Sequence, residues 1–364
     1  MVELDSVPVY QPFLDDRESQ AVLKVLSDGW ISSKGSQIAE FESATSGFTG
    51  FKHSNTVANG TLALSLAMSS IGLNSKSRIV CPSMTYVASI TPAIHLGAEI
   101  ELVDVDPETW LANFDEVESK NNFDIQVLEP VDLFGSPFDI AGLSRFKELG
   151  FLIVSDSAES FGSSIHGKHA GKGADAITFS FFGNKTITTG EGGMVCTDNP
   201  DIDEFGRRLK NQGLSLSREY FHDIPGHNFR MTNIQATIGL VQISKLQKIL
   251  DLKHQIYDSY NKYLDQDRIL RQKLNPSAES NYWMCSFLAS NEASKKRIRK
   301  NLADAGIETR PFFTPLHELP FVKKQSSSFP VSEDLWRRGF SLPSWPGISE
   351  GTLIRISNIV NDSL

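Results

Sequence analysis

The sequence has 364 residues, of which 40% are hydrophobic and 22% charged, and its 35 basic and 44 acidic side chains give a formal net charge of −9. This length predicts about two domains, or one large α/β domain with an appendage, and the composition is that of a folded globular protein rather than a disordered or fibrous chain. The acidic balance leaves no basic field for a polyanion, so we expect no nucleic-acid partner.

The three cysteines, Cys81, Cys196 and Cys285, lie far apart, in an odd number and without C-x-x-C spacing. This pattern predicts neither a metal site nor a disulfide framework and indicates a reducing, cytoplasmic environment. The first residues are acidic where a secretory signal would be basic and then apolar. The longest stretch without charged side chains, Ile79–Ala98, is interrupted by prolines and a histidine, so we expect no membrane span.

In chain order, a polar N-terminal segment leads into an amphipathic helix over Glu18–Leu26 and is expected to pack near a site. From about residue 55 to 200, short apolar runs alternate with helical or turn stretches, which is typical of a mostly parallel sheet covered by helices. Helices are predicted at Thr61–Ile71 and Ile140–Gly150. The predicted strands of this region are Arg78–Cys81, Glu99–Val103, Gln126–Val131, Phe151–Ser155, Ala176–Phe181 and Gly193–Thr197.

A long apolar repeat from Ile234 to about Leu264 predicts one continuous connecting helix. After it, the composition changes to short strand-like pieces such as Trp283–Leu288 and a basic helix, Ala293–Ala305. We therefore predict a large domain over residues 1–264 and a smaller α+β domain over residues 265–364. The predicted fold class is α/β, with a mostly parallel central sheet sandwiched by helices.

A lysine, Lys185, stands just past a predicted buried strand, with aromatic residues before it and Gly190, Gly192 and Gly193 after it. Desolvation at such a position lowers the pKa of an amine toward neutrality, which a nucleophile that forms a Schiff base with an aldehyde requires. The alternative is a structural lysine in a salt bridge.

Asp156 follows a second buried strand, at the edge where open α/β sheets bind ligands. A carboxylate at that edge needs a cationic partner, and the protonated ring nitrogen of pyridoxal phosphate is one such partner. Capping of a following helix is the alternative role.

Two further elements suit the same cofactor. Asn59-Gly60-Thr61 opens a predicted apolar helix, whose N-terminal amides can hold a phosphate, and Tyr86 follows another strand, where its ring can stack on a flat ligand. An ordinary helix cap and a core tyrosine are the alternatives. In this order and at these spacings, the four elements together are more specific than any one of them.

On these motifs, and on Gly29–Ser33, Phe179–Gly193 and Asn228–Ala236, the chain resembles the DegT/DnrJ/EryC1/StrS family of sugar-nucleotide aminotransferases, from about Pro8 to Val360. These are pyridoxal-phosphate enzymes of the aspartate-aminotransferase fold, also called fold type I. The resemblance implies transamination in two halves, with a nucleotide-sugar substrate and with glutamate as the expected amino donor. Within the family the motifs are most similar to the branch that aminates GDP-4-keto-6-deoxymannose, and dTDP- or UDP-linked 4-keto-6-deoxyglucose is the alternative.

The resemblance also implies a role for each matching residue. Lys185 would form the Schiff base and carry the proton, Asp156 would pair with the ring nitrogen, and Glu159 would face the ring hydroxyl. The other implied cofactor contacts are Gly60, Thr61 and Ser180 on the phosphate, Tyr86 on the ring, and Asn228 reaching the phosphate of the neighbouring subunit. Because of Asn228, we expect a homodimer with two composite active sites. Arg230, Arg310 and His317 are candidates for the nucleotide-sugar phosphates, with an interface salt bridge as the alternative for Arg230.

The sequence departs from the family pattern near the expected site. Ser155-Asp156-Ser157-Ala158 replaces Glu-Asp-Ala-Ala, Asp132-Leu-Phe-Gly135 replaces His-Leu-Tyr-Gly, and Glu159 replaces the more common glutamine. Two functions of other classes are less consistent with the sequence. A non-catalytic binding module on the same fold would be favoured by the loss of Lys185 or Asp156, and an NAD-dependent enzyme lacks its G-x-G-x-x-G motif here.

Overall fold

The computed structural model describes residues 6–115, 117–324 and 326–364. The strands are β1 His53–Val57, β2 Ser77–Pro82, β3 Glu99–Val103, β4 Ile125–Leu128, β5 Leu152–Asp156, β6 Ser164–Ile165, β7 Lys168–His169, β8 Ala176–Ser180, β9 Gly193–Thr197, β10 Leu270–Arg271, β11 Ala278–Glu279, β12 Cys285–Leu288, β13 Arg310–Pro311 and β14 Gly339–Leu342. The helices are α1 Asp16–Asp28, α2 Ser36–Thr49, α3 Gly60–Ser70, α4 Thr91–His95, α5 Ser144–Glu148, α6 Pro200–Lys210, α7 Asn233–Ser244, α8 Leu246–Tyr263, α9 Glu292–Asp304, α10 Pro330–Arg338 and α11 Glu350–Asp362.

The central sheet of the described chain has seven strands in the order β1-β9-β8-β5-β4-β2-β3. Neighbouring strands from β8 to β3 pair in parallel, and β9 is antiparallel to both β8 and β1. The predicted mostly parallel sheet is therefore confirmed, and the six predicted strands all belong to it. The strand β1 was not predicted, because its sequence His-Ser-Asn-Thr-Val has no apolar run.

Helices cover both faces of this sheet. On one face, buried apolar residues of α3, such as Leu64 and Met68, pack with Val154 and Ala176 of the strands. On the other face, Phe179 of β8 packs with Phe41 of α2 and with α7. Each large apolar side chain that is buried in this way contributes about 1.5–3 kcal/mol to the stability of the fold. Because helices cover both faces, apolar side chains on both sides of the strands are buried.

The predicted single helix from Ile234 to Leu264 is wrong, because the structure has two helices, α7 and α8, which meet at Lys245. The backbone of Lys245 leaves helical geometry, with φ −114° and ψ 11°. Its buried side chain pairs with Glu18 of α1 at 2.5 Å and with Asp15 at 3.3 Å. These tertiary ion pairs interrupt a repeat that apolar spacing alone predicts to be continuous.

The C-terminal part contains a four-stranded antiparallel sheet, β10-β12-β14-β13. With α8, α9 and α11 it forms a second hydrophobic core, which includes Ile256, Phe287, Phe340 and Ile356. The helix α8 contributes residues to this core and also to the core behind the central sheet. The proposed domain boundary at residue 264 therefore lies at the end of a helix that packs against both parts. Among the described residues, none of the helices is both long and apolar enough to cross a membrane.

Candidate active site

Parallel pairing brings the carboxyl ends of several strands to one edge of the sheet. β5 ends at Asp156, β8 ends at Ser180, and α3 begins at Gly60, three residues after β1. A cavity of about 540 Å³ opens at this edge. Eight of the eleven predicted site residues line it: Gly60, Thr61, Tyr86, Asp156, Glu159, Ser180, Lys185 and Arg310.

Lys185 lies on the turn that follows β8. Its N–H donates to the Phe182 carbonyl at 2.9 Å, and its own carbonyl accepts the Tyr10 hydroxyl at 2.7 Å. The side chain enters the cavity, where Nζ lies 3.8 Å from Glu159 Oε1 and 4.0 Å from the centroid of the Trp283 ring. The amine therefore lies between an acid and an aromatic face, both of which stabilise a positive charge on it.

Burial is the largest influence on the pKa of Lys185 and lowers it. The charges of Glu159 and Asp156 oppose this shift, whereas the positive charge of Arg310 reinforces it. A lowered pKa increases the fraction of free amine at neutral pH, and free amine is the form that attacks an aldehyde.

Asp156 is buried at the end of β5, with both carboxylate oxygens hydrogen-bonded. Ser89 Oγ donates to Oδ2 at 2.8 Å, and the Ala158 N–H donates to Oδ1 at 3.1 Å. Burial raises the pKa of Asp156, while these donors and Lys185 act in the opposite direction. The carboxyl is therefore held in one orientation at the cavity wall and favours a cationic partner there.

Glu159 accepts a hydrogen bond from a residue that has an unusual backbone conformation. The Phe134 N–H donates to Glu159 Oε2 at 2.7 Å, and Phe134 has a φ of 57°, in the left-handed region that is unfavourable for a bulky residue. The ring of Phe134 packs against Phe312, with centroids 4.5 Å apart, which holds this conformation in place. Burial raises the pKa of Glu159 to about 7, so its ionisation is balanced near neutral pH.

The start of α3 forms an anion cradle. The Asn59 side chain caps the helix by accepting the Leu62 N–H at 2.9 Å, and the Gly60 and Thr61 amides have no acceptor among the described residues. A Cβ on Gly60 would lie 2.8 Å from Ser180 Cβ, so only glycine permits this approach of the Ser180 hydroxyl. Free amides at a helix N-terminus beside a hydroxyl fit a phosphate group.

Three of the eleven predicted residues do not line this cavity. Asn228 Oδ1 accepts a hydrogen bond from Arg230 Nε at 2.9 Å, and Arg230 lines a second cavity, of about 370 Å³, together with Lys34 and Lys210. His317 Nδ1 lies 2.6 Å from Ser83 Oγ. In a single chain, these three residues therefore lie outside the cavity that Lys185 lines.

Sequence reasoning missed two contributors from the C-terminal part. Trp283, which was noted only as the start of a strand, faces Lys185, and its Nε1 donates to the Asn184 carbonyl at 2.7 Å. Phe313 lines the cavity 5.5 Å from Tyr86, measured between ring centroids. Phe313 lies between the predicted residues Arg310 and His317, whereas no local motif marks Trp283, which reaches the site only through tertiary packing.

Comparisons with known proteins agree with this geometry. The model of the DegT/DnrJ/EryC1/StrS aminotransferase family matches residues 12–361. The chain is 38% identical to GDP-perosamine synthase of Escherichia coli O157:H7 and 36% identical to that of Vibrio cholerae, in each case with 98% of both chains covered. Among solved structures, the PLP form of the putative sugar aminotransferase Spr1654 from Streptococcus pneumoniae superposes with a TM-score of 0.90 and 26% identity, over 99% of this chain and 100% of that one.

The fold and the family match make this chain a pyridoxal-phosphate enzyme of fold type I, as predicted. The chain belongs to the DegT/DnrJ/EryC1/StrS aminotransferase family and is a pyridoxal-phosphate-dependent sugar aminotransferase. Family membership thus favours an enzyme over a non-catalytic binding module. The residues present fit the cofactor, because the α3 cradle suits its phosphate and Lys185 suits its aldehyde.

Proposed function

We propose that this enzyme transfers the amino group of glutamate to C4 of GDP-4-keto-6-deoxymannose. The enzyme is proposed to act in the cytoplasm, and its product to be used for the synthesis of a surface polysaccharide. Glutamate becomes 2-oxoglutarate while the ketone becomes an amine, so the exchange balances without an outside oxidant or reductant. The observation that carries the proposal is the position of Lys185 at the sheet edge, in a chain 34–38% identical to three proteins named GDP-perosamine synthase.

The proposed division of labour follows the cavity. Bound pyridoxal phosphate supplies an aldehyde that bonds to amines and a ring that accepts negative charge. The Gly60 and Thr61 amides and the Ser180 hydroxyl would hold its phosphate, Tyr86 would stack on its ring, and Asp156 would keep its ring nitrogen protonated. Lys185 would bind the aldehyde through Nζ and, when that amine is free, would accept and return a proton there.

Glu159 faces Lys185 at 3.8 Å and, in the proposal, also faces the ring hydroxyl of the cofactor. Its pKa of about 7 places both of its protonation states within reach at the pH of the cytoplasm. A group with this balance can accept a proton from the ammonium of Lys185 and return it. Glu159 is therefore a proton partner for the Lys185 nitrogen, and its carboxylate form favours the ammonium over the free amine.

Recognition of the nucleotide sugar is assigned to arginines and a histidine. Arg310 of β13 lines the cavity. Its guanidinium group is positively charged and can donate paired hydrogen bonds to a diphosphate. Arg230 and His317 stay candidates for the same phosphates, although they lie outside the cavity of this chain. Asn228 is proposed to reach the cofactor phosphate of a second copy, which makes the active unit a homodimer.

The proposed homodimer rests on Asn228, which does not line the cavity of its own chain. Size-exclusion chromatography with light scattering tests this part of the proposal. A dimeric mass is expected, and a stable, fully active monomer would contradict a composite site.

The substrate is tested with a panel of GDP-, dTDP- and UDP-linked 4-keto-6-deoxy sugars, each incubated with glutamate and analysed by mass spectrometry. We expect the GDP-linked sugar to be aminated fastest, with one 2-oxoglutarate formed per amino sugar. Faster turnover of a dTDP- or UDP-linked sugar would replace the proposed substrate by that alternative. Replacing glutamate with other amino acids tests the donor in the same assay.

A further inference from the structure

Asn281 is a fully buried residue that lies behind the cavity wall, between β11 and β12. Its side-chain amide nitrogen donates to two backbone carbonyls, those of Glu159 at 2.9 Å and Phe161 at 3.1 Å. The same nitrogen lies 2.9 Å from the hydroxyl of Thr186, the residue that follows Lys185. One amide therefore connects the segment that carries Glu159 to the segment that carries Lys185.

The other end of the same side chain fixes a third segment. Asn281 Oδ1 accepts the Trp283 N–H at 2.9 Å. The backbone comes very close at this point, because a Cβ on Gly135 would lie 2.0 Å from that oxygen. With donors and acceptor all engaged, the buried amide forms a complete network, and such networks are rigid.

The three connected segments carry the groups that surround the Lys185 amine. Nζ lies between Glu159 Oε1 and the Trp283 ring, at 3.8 Å and 4.0 Å. Trp283 is held a second time by its indole N–H, which donates to the carbonyl of Asn184. Asn281 itself does not line the cavity, so it reaches the amine only through these neighbours.

We propose that Asn281 is a positioning residue whose side-chain amide holds Glu159 and Trp283 on either side of the Lys185 ε-nitrogen. The inference rests on the proposed covalent role of Lys185. The charged groups that act on this nitrogen are Glu159, Asp156 and Arg310. Of these, Asn281 contacts only the segment of Glu159, so its loss disturbs one acid and one aromatic face and leaves Asp156 and Arg310 in place.

The test compares Asn281→Ala with Asn361→Ala in the full chain loaded with pyridoxal phosphate. Asn361 is a matched control in α11, because its amide also donates to a backbone carbonyl, that of Tyr263 at 2.9 Å, and accepts a backbone N–H, that of Asp265 at 3.0 Å. The first readout is the pH at which the absorption band of the lysine-bound cofactor changes. The second is the split of turnover between kcat and KM.

We expect Asn281→Ala to move the spectral midpoint to lower pH by about half a unit or more, because a nitrogen that loses stabilising neighbours releases its proton more readily. The kcat should fall on the order of tenfold with little change in KM, as for a group that acts on the chemical step. Asn361→Ala should leave both readouts at their wild-type values.

A folded Asn281→Ala protein with an unchanged midpoint and kcat would overturn the proposal. If that variant does not fold, Asn281→Leu decides, because it keeps the approximate volume of the side chain and removes the amide that binds the Glu159 carbonyl and the Trp283 N–H. A shift in the same direction is expected, and no shift overturns the proposal. Absence of a cofactor band in the wild-type protein would instead overturn the proposed role of Lys185. The two failures are therefore distinguishable.

Discussion

The hydroxyl of Ser157 donates a hydrogen bond of 2.5 Å to Asp132 Oδ2, so two positions at which the sequence departs from its family pattern meet inside the protein. A third such position, Ser155, lies 3.1 Å from Ser157 between hydroxyl oxygens. Ser160 also donates to Asp132 Oδ2 at 2.5 Å, and the Phe138 N–H donates to Oδ1 at 2.7 Å. The departures thus form one buried network beside the turn that carries Glu159.

Asp132→Ala is expected to destabilise the protein, because the Phe138 N–H loses its acceptor and the hydroxyls of Ser157 and Ser160 keep only longer contacts, at 3.1 Å and 3.4 Å. Each unsatisfied buried donor costs about 1–3 kcal/mol. Thermal unfolding of this variant is compared with that of Asp115→Ala, a change at a side chain that is 84% exposed. Equal unfolding temperatures for the two variants would show that the network contributes no stability.

The burial of Glu129 predicts that the free energy of unfolding depends on pH. Both of its carboxyl oxygens are buried, and neither accepts a hydrogen bond from a nitrogen or a hydroxyl of the described residues. The buried thiol of Cys81 is the hydrogen-bonding group that acts on this carboxyl, and it lowers the pKa. Burial, and then the charge of Asp156, raise the pKa of Glu129 well above its ordinary 4.5. The folded protein therefore keeps a proton that the unfolded chain releases, so this contribution to stability is complete below pH 4.5 and is lost as pH rises toward the raised pKa.

Glu129→Gln removes this titration while it keeps the shape of the side chain. The variant should gain stability relative to wild type as the pH is raised from about 5 to about 8, by at most about 1.4 kcal/mol per pH unit. Chemical denaturation at several pH values measures the difference. A difference in unfolding free energy that stays constant with pH would mean that Glu129 does not hold its proton in the folded protein.

Asp156→Asn tests the anion opposite the proposed ring nitrogen. The amide keeps the size of the side chain but cannot stabilise a cation, so kcat should fall on the order of 10²-fold or more. Cofactor binding should survive, because the α3 cradle does not involve Asp156. A kcat within twofold of wild type, with cofactor bound, would contradict the assignment.

Arg310→Ala tests recognition of the nucleotide sugar. Loss of a cation that binds the substrate equally before and during the reaction should raise KM on the order of tenfold and change kcat little. Arg337, whose side chain is 54% exposed and paired with Glu333, provides the control Arg337→Ala. An unchanged KM would remove Arg310 from the substrate site.

Much of the fold was predictable because buried parallel strands have continuous apolar runs in their sequence, as in Phe151–Val154. The strand β1 was not predictable in this way, since its polar residues are buried by partners distant in sequence; Asn55, for example, donates to Asp203 at 2.7 Å. The break at Lys245 was not predictable either, because the apolar repeat continues across it and its ion-pair partners, Asp15 and Glu18, are distant in sequence.

The residues proposed to hold the cofactor were easier to predict than those on the substrate side. Asp156 ends a strand, Lys185 follows one and Gly60 begins a helix, and the local sequence pattern shows such positions. Trp283 and Asn281 come from the C-terminal part, and nothing near them in the sequence points to Lys185. Their roles follow only from tertiary contacts, and the proposed roles of Asn228, Arg230 and His317 require a second chain or a bound substrate to test.

The bond between Lys185 and the cofactor is tested by borohydride reduction of the protein loaded with pyridoxal phosphate, followed by digestion and peptide mass spectrometry. Because reduction makes the bond between lysine and cofactor permanent, we expect one modified peptide, which contains Lys185, and no such peptide in Lys185→Ala. Attachment at another lysine, such as the buried Lys253, or no attachment in a protein that binds the cofactor, would contradict this expectation.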